Sequence, residues 1–294
     1  MSPFSLVLDL KAELGECPLW SVDEEVLYFV DIKGRAIHRY DPVSELLSTA
    51  ILPEEVGCIG LARGGGFIAG LRSGLWLVGP DGQLRRKLAD NPEDQTFSRF
   101  NDGMVDPAGR FIAGTVDETR TNGNATLYRF DRRGLAQLAG GMLTANGTAF
   151  SPDGTTLYHS DTLRYAIFAS DYNQATGGVS STRVFARFHP DDADKGRPDG
   201  AAVDVEGCYW TALFEGGRVQ RYDPDGTLLA EYETPAFCPT MVAFGGRDRK
   251  TLYVTSARIG RPDDELASFP YSGGLFAMPV EVPGLAKPLF DINA

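Results

Sequence analysis

Four short stretches, far apart in the chain, each set an acid or an amide near a small residue. They are LGECP (14–18) with Glu16, RFNDG (99–103) with Asn101 and Asp102, ANGTA (145–149) with Asn146, and PDGAA (198–202) with Asp199. Glu16, Asn146 and Asp199 together offer two carboxylates and an amide oxygen, a hard donor set that holds a divalent cation and leaves positions for water or substrate. The stretch SRFNDGMVDPAGRFIAGT (98–115) adds Arg99 ahead of Asn101 and Asp102, then a turn signal, Asp106-Pro107-Ala108-Gly109. A strand–turn–strand unit uses the turn and the apolar run after it. It has no use for a guanidinium, an amide and a carboxylate gathered before them. Taken singly, Asn or Asp before Gly is a turn former, but the equivalent stretches VGCIG and CPTMV lack the acid or amide, so turn chemistry does not demand the pattern.

Distant residues can share a site only if the chain returns each of them to one place, and the sequence repeats in a way that does this. The runs LYFVD (27–31), FIAGL (67–71), FIAGT (111–115), LYHSD (157–161), YWTAL (209–213) and LYVTS (252–256) start 40, 44, 46, 52 and 43 residues apart. Each follows a short apolar segment and a polar or Gly-rich turn, and most precede a third and a weaker fourth β-type segment. Short β-rich runs, frequent Gly and Pro and six units of this period predict an all-β chain, a six-bladed β-propeller with four antiparallel strands per blade, as one domain over 1–294. The N-terminal SLVLDL is expected to complete the last blade. If strands alternate within a blade, turns such as DPAG, SPDG and DPDG fall on one face. The segments entering each innermost strand fall on the other, and bring Glu16, Asn101, Asp102, Asn146 and Asp199 to the rim of the central channel.

Composition narrows the partners. The chain has 294 residues, 43% hydrophobic, with a net charge of −12 and a pI near 4.8, which argues against a nucleic-acid binder, whose affinity rests on clustered Lys and Arg. A small polar molecule or a cation fits the charge better. The start has no basic region and Asp9 interrupts its apolar stretch, so no signal peptide is expected. No run reaches the roughly 18 apolar residues of a membrane span. Cys17, Cys58, Cys208 and Cys238 are widely spaced with no C-x-x-C pair, which predicts a reduced, cytoplasmic protein without structural zinc, monomeric or weakly self-associating. The three histidines lack metal-type spacing, G-x-S-x-G is absent, and RGGGFIAG has no following Lys-Ser/Thr; serine-nucleophile and nucleotide-loop chemistry are therefore unsupported. The acidic HPDDADKG (189–196) reads as a solvated loop on the channel face.

The stretches LGECPLW, LYFVDIKGRAIHRYDP, RFNDGMVDPAGRFIAGT, NGTAFSPDG, YHSDT, PDGAAVD and GGRVQRYDPDG resemble the gluconolactonase, regucalcin and senescence-marker-protein family, from about residue 10 to 280. The resemblance implies one divalent metal (calcium, zinc, manganese or ferrous iron) on Glu16, Asn146 and Asp199, substrate held by Arg99 and Asn101, and Asp199 as catalytic base. Asp102 would support that set or ligate through water. It implies hydrolysis of a sugar lactone, the metal polarising the carbonyl. Where animal members carry a substrate-contacting glutamate, the best aligned position is Thr119 with Glu118 beside it, and Met104 stands where they have lysine. If Thr119 and Met104 line the channel, the site has lost polar groups and a five-carbon lactone, xylonolactone or arabinolactone, is the expected substrate. A non-enzymatic calcium-binding or scaffold role, and hydrolysis of other esters or organophosphates, are the alternatives. A pure cation buffer, however, gains nothing from Arg99 beside its metal.

Overall fold

A computed structural model describes residues 2–189 and 196–294; positions 190–195, most of the acidic HPDDADKG stretch, lie outside the described residues. Six four-stranded antiparallel sheets follow one another along the chain. Blades one to five begin at Gly15, Val56, Ser98, Ala145 and Arg197. Blade six takes three strands from the C-terminal region and its outermost strand, Ser5–Leu8, from the N-terminus, paired antiparallel with Leu275–Pro279. The expected closure by SLVLDL is therefore present, and it leaves no gap between first and last blade. Innermost strands of neighbouring blades touch all the way round, from blade one to blade six and back.

Burial grades outward through each blade, which is why the repeats read so differently. In blade one, Gly15–Ser21 and Val26–Asp31 are buried throughout, whereas the outermost Leu46–Ile51 is almost wholly exposed. Strands buried on both faces become continuous apolar runs, and these are the repeats visible in the sequence. Aromatic pairs such as Trp210 with Phe244, edge to face at 5.7 Å, fill the wedges between sheets.

The innermost strands hold the principal departure from the expected layout. The segments bearing Glu16, Asn101, Asn146 and Asp199 are strand residues, not loops leading into strands. Each of the six innermost strands slips register by one residue at this level, between Glu16 and Leu19, Val56 and Cys58, Phe100 and Gly103, Asn146 and Ala149, Pro198 and Ala201, and Pro239 and Val242. A β-bulge bends its strand and re-aims a side chain that regular pleating would send into the sheet. The bulge explains the small residues that follow the functional ones. Gly147 has φ +60°, and a Cβ there would collide with the Tyr209 hydroxyl, so glycine lets blade four approach blade five beside Asn146.

The chain end crosses the opposite mouth of the channel. Leu285 N donates to Val203 O at 3.3 Å in blade five and Gly284 N to Arg249 O at 3.0 Å in blade six. Beyond these, Phe290 N donates to Leu61 O at 2.7 Å in blade two and Asp291 N to Gly109 O at 2.9 Å in blade three. This C-terminal strap spans the ring's diameter and closes the face that carries the tight turns.

Candidate functional site

A cavity of about 340 Å³ opens on the other face, with Glu16, Asn146 and Asp199 at its inner end and Arg99, Asn101 and Glu118 on its wall. The three proposed ligands come from blades one, four and five, so only ring closure brings them together. Asn146 Nδ2 contacts Asp199 Oδ1 and donates to Thr162 Oγ1 at 3.2 Å, while Glu16 Oε2 accepts from Cys17 N at 2.9 Å. Both carboxylates are buried, at 7% and 4% exposure.

Their electrostatics are compatible with a bound cation. Burial, reinforced by the charge of Asp102, pushes the Glu16 carboxyl up to about 8. Asp199 rises well above the usual carboxylate range through burial and the charges of Glu16 and Asp102. Carboxylates converging in a dry channel cannot all ionise unless a positive charge joins them. Two carboxylate groups and an amide able to turn its oxygen inward fit a hard divalent ion, so the residues present suit the metal that the sequence implies.

Asp102, Thr119 and Met104 do not line this cavity. Asp102 Oδ2 accepts from Thr148 N at 2.7 Å, tying blade three to blade four behind the ligands, and Oδ1 is buried without a hydrogen bond. The Thr119 hydroxyl donates to Asp117 Oδ1 at 2.5 Å, holding the loop after the second strand of blade three. That bond turns Thr119 away and leaves Glu118 facing the cavity. Met104 is buried against the strap, beside Lys287, on the opposite side of the channel. The premise that the cavity lost two polar groups at Thr119 and Met104 therefore fails. Two residues after Asn101 on the strand, Gly103 is where the bulge ends and regular alternation resumes.

Arg99 is held firmly, at 6% exposure. Its Nη1 donates to Phe100 O at 3.1 Å and Asn101 Oδ1 at 2.8 Å, and Asn101 Nδ2 in turn donates to Ala145 O at 3.2 Å. Its Nε faces Glu118 at 3.6 Å and Glu55 at 3.8 Å. Glu55 pairs with Lys33 at 2.7 Å and Arg72 at 2.6 Å, and Arg72 also reaches Glu118 at 2.8 Å. Lys33, Glu55, Arg72, Arg120 and Arg197 were not anticipated. All but Glu55 and Arg197 lie just after the second strand of a blade, positions the repeats could have flagged.

Elsewhere, Asp204, Glu206 and Cys208 lie within 4.8 Å of one another on the turn face. Arg221 Nη2 donates to Asp204 Oδ2 and Glu206 Oε2 at 2.8 Å each, and Trp210 Nε1 donates to Asp204 Oδ2 at 2.9 Å. Those oxygens are used by the fold. His38 and His159 stack on Phe29 and Phe168 in the sheets, and burial lowers both, His159 to about 4. Neither reaches the cavity. All four cysteines are buried and unpaired.

The SMP-30/gluconolactonase/LRE-like region matches residues 14–258. The chain belongs to that family. It is 51% identical over 280 residues to the 6-deoxy-6-sulfogluconolactonase of Pseudomonas putida, covering 94% of each chain. It is 34% identical over 296 residues to the pentonolactonase of Haloferax volcanii, covering 98% of each. The crystal structure of a calcium-binding regucalcin from Agrobacterium tumefaciens superposes with a TM-score of 0.91 at 29% identity, covering 97% of this chain and 96% of that one. Among the described residues no helix is long and apolar enough to cross a membrane.

Proposed function

We propose that this chain hydrolyses a sugar lactone to its open acid with a divalent cation held by Glu16, Asn146 and Asp199. The reading rests on one observation: ligands from blades one, four and five meet Arg99 and Asn101 of blade three in a single cavity. The family's lactonases at 51% and 34% identity support it. When bound, the cation supplies Lewis acidity to the lactone carbonyl.

The chain's own residues do the rest. Asp199 is the base: it takes a proton from water as the water oxygen bonds to the carbonyl carbon, and a proton returns to the ring oxygen as its bond to that carbon breaks. Arg99 is fixed through Nη1, so its remaining donors meet the ring substituents without first being ordered. Asn101 holds Arg99 in place and faces the same cavity. Glu118, paired with Arg72 and Lys33, accepts hydroxyl hydrogen bonds.

Substrate size is read from the wall. With Glu118 present and Met104 elsewhere, the case for a five-carbon ring weakens. Lys33, Arg120 and Arg197 line the outer cavity. Arg197 is paired with Glu215 at 2.6 Å, but no described residue forms an ion pair with Arg120. A guanidinium standing open at a substrate cavity suits a planar or tetrahedral anion. The favoured substrate is therefore a six-carbon lactone with an anionic group at carbon six, a sulfonate by likeness to the Pseudomonas relative. The pentonolactone reading draws on the Haloferax relative.

A panel of 6-deoxy-6-sulfogluconolactone, gluconolactone, xylonolactone and arabinolactone separates these, assayed by acid release with each metal and corrected for spontaneous opening. The sulfonated lactone is expected to exceed gluconolactone in kcat/KM by at least about tenfold, and Arg120→Ala to remove most of that margin. Pentonolactones at the top would overturn the size assignment. Metal binding without hydrolysis of any lactone would leave only the cation-binding role.

A further inference from the structure

Resting on the anionic-lactone reading above, we infer that Arg197 is a second anion-binding group of the cavity, positioned by the long loop of blade six through a relay of ion pairs from Glu265 to Arg261 to Glu215.

The relay is continuous in the structure. The connection between the second and third strands of blade six, residues 257–274, is the longest of the six at that place and includes the short helix Asp263–Ser268. It is pinned to the entry of blade one, where Glu13 O accepts from Arg258 N at 3.1 Å and from Ile259 N at 2.9 Å. Ile259 itself lines the cavity. Within the loop, Arg261 Nε and Nη2 donate to the two carboxylate oxygens of Glu265, at 2.7 and 2.5 Å. Its Nη1 donates across to blade five, to Glu215 Oε1 at 2.5 Å. The other oxygen of Glu215, Oε2, accepts from Arg197 Nη2 at 2.6 Å. The Arg197 and Arg261 side chains are 15% and 16% exposed, so salt screens the relay weakly.

What the relay does follows from counting donors and acceptors. A carboxylate with both oxygens free grips a guanidinium by two parallel bonds and covers one edge of it. Glu215 cannot do this to Arg197, because Arg261 holds Oε1. Arg197 is therefore fixed at one point, over the Phe214 ring at 5.2 Å, and its Nη1 makes no hydrogen bond among the described residues. That edge is left for a ligand. Arg197 stands two residues before Asp199 on its strand, as Arg99 stands two before Asn101. Arg120 and Arg197 line one cavity from blades three and five, and blade four between them contributes Thr162 and Leu163. An anionic group at carbon six, lying over blade four, meets a guanidinium from each side, and neither has to be drawn away from a bidentate partner first. Arg261 and Glu215 touch no substrate; they are positioning residues.

The test reads the ratio of kcat/KM for 6-deoxy-6-sulfogluconolactone to that for gluconolactone in metal-loaded protein. Arg197→Gln is expected to lower the ratio about tenfold, the loss of one charge-assisted contact. Arg261→Met keeps the charge of Arg197 but frees Glu215 to close on it, and should lower the ratio about fivefold, through KM for the sulfonated lactone. In Arg261→Met/Arg197→Gln the ratio should match that of Arg197→Gln alone, since the relay acts only through Arg197. A loop that merely stabilises the fold would, when cut, slow both lactones together. An unchanged ratio in Arg261→Met overturns the relay, and an unchanged ratio in Arg197→Gln overturns the inference as a whole. Crystals of the unmutated protein with the sulfonated open acid give a check independent of whether the variants fold: a sulfonate bound away from Arg197 overturns the inference, and one within hydrogen-bond distance supports it. No preference for the sulfonated lactone in the unmutated protein would instead overturn the anionic-lactone reading itself.

Discussion

Asp199→Asn is expected to cut kcat for lactone hydrolysis by about 10²- to 10⁴-fold, the usual contribution of a positioned general base. The substitution keeps volume and hydrogen-bonding capacity but removes the charge that accepts a proton and helps hold a cation. Its cost to the fold should be nil. Asp199 is buried among Glu16, Asp102 and Asn146, so deleting its charge relieves repulsion in the metal-free protein. The melting temperature without metal should therefore stay constant or rise while activity collapses, the opposite sign from a core mutation. Stopped-flow acid release, a thermal melt and far-ultraviolet circular dichroism together make the check. Turnover within a few-fold of the parent at saturating metal would remove Asp199 from its assigned role.

Arg99→Ala should lower kcat/KM by about 10²-fold, since hydrogen bonds to charged groups contribute about 1.5–3 kcal/mol each, with metal affinity changed only a few-fold. Arg99 is tied to Phe100 and Asn101 of its own strand and not to Glu16, Asn146 or Asp199. Its acidic neighbours stay compensated when it is removed, because Glu55 and Glu118 keep Arg72 and Lys33. Arg99→Lys should not restore the parent value. An ammonium on a flexible stem lacks the planar fork that lets Arg99 hold the strand carbonyl and Asn101 Oδ1 through Nη1 while its other donors stay fixed toward substrate. Calorimetry showing equal loss of metal binding in Arg99→Ala would overturn the division between substrate and metal residues.

The ring and its closure were legible because the inner two strands of every blade are buried on both faces, and such strands can be only apolar runs spaced by the blade length. The position of Glu16, Asn146 and Asp199 at one mouth followed from strand alternation alone. The bulges did not, because a one-residue register slip leaves no mark in sequence beyond a glycine that also serves in turns. Glu118 rather than Thr119 faces the cavity for a local reason: the Asp117 carboxylate captures the Thr119 hydroxyl and backbone N–H, turning the loop so that its neighbour points inward. Met104 was misplaced because residues only a few positions apart on one strand reach opposite mouths of the channel. The C-terminal strap could not be read at all, since no periodicity governs a segment that lies outside the repeats.

The central claim is that the cation sits between three blades at the cavity's inner end. Anomalous scattering from crystals of the stripped protein soaked in Mn²⁺ tests it most directly. The account predicts one strong peak bounded by Glu16, Asn146 and Asp199, lost in Glu16→Gln crystals treated alike. A peak at Asp204, Glu206 and Cys208 with none in the channel would contradict it.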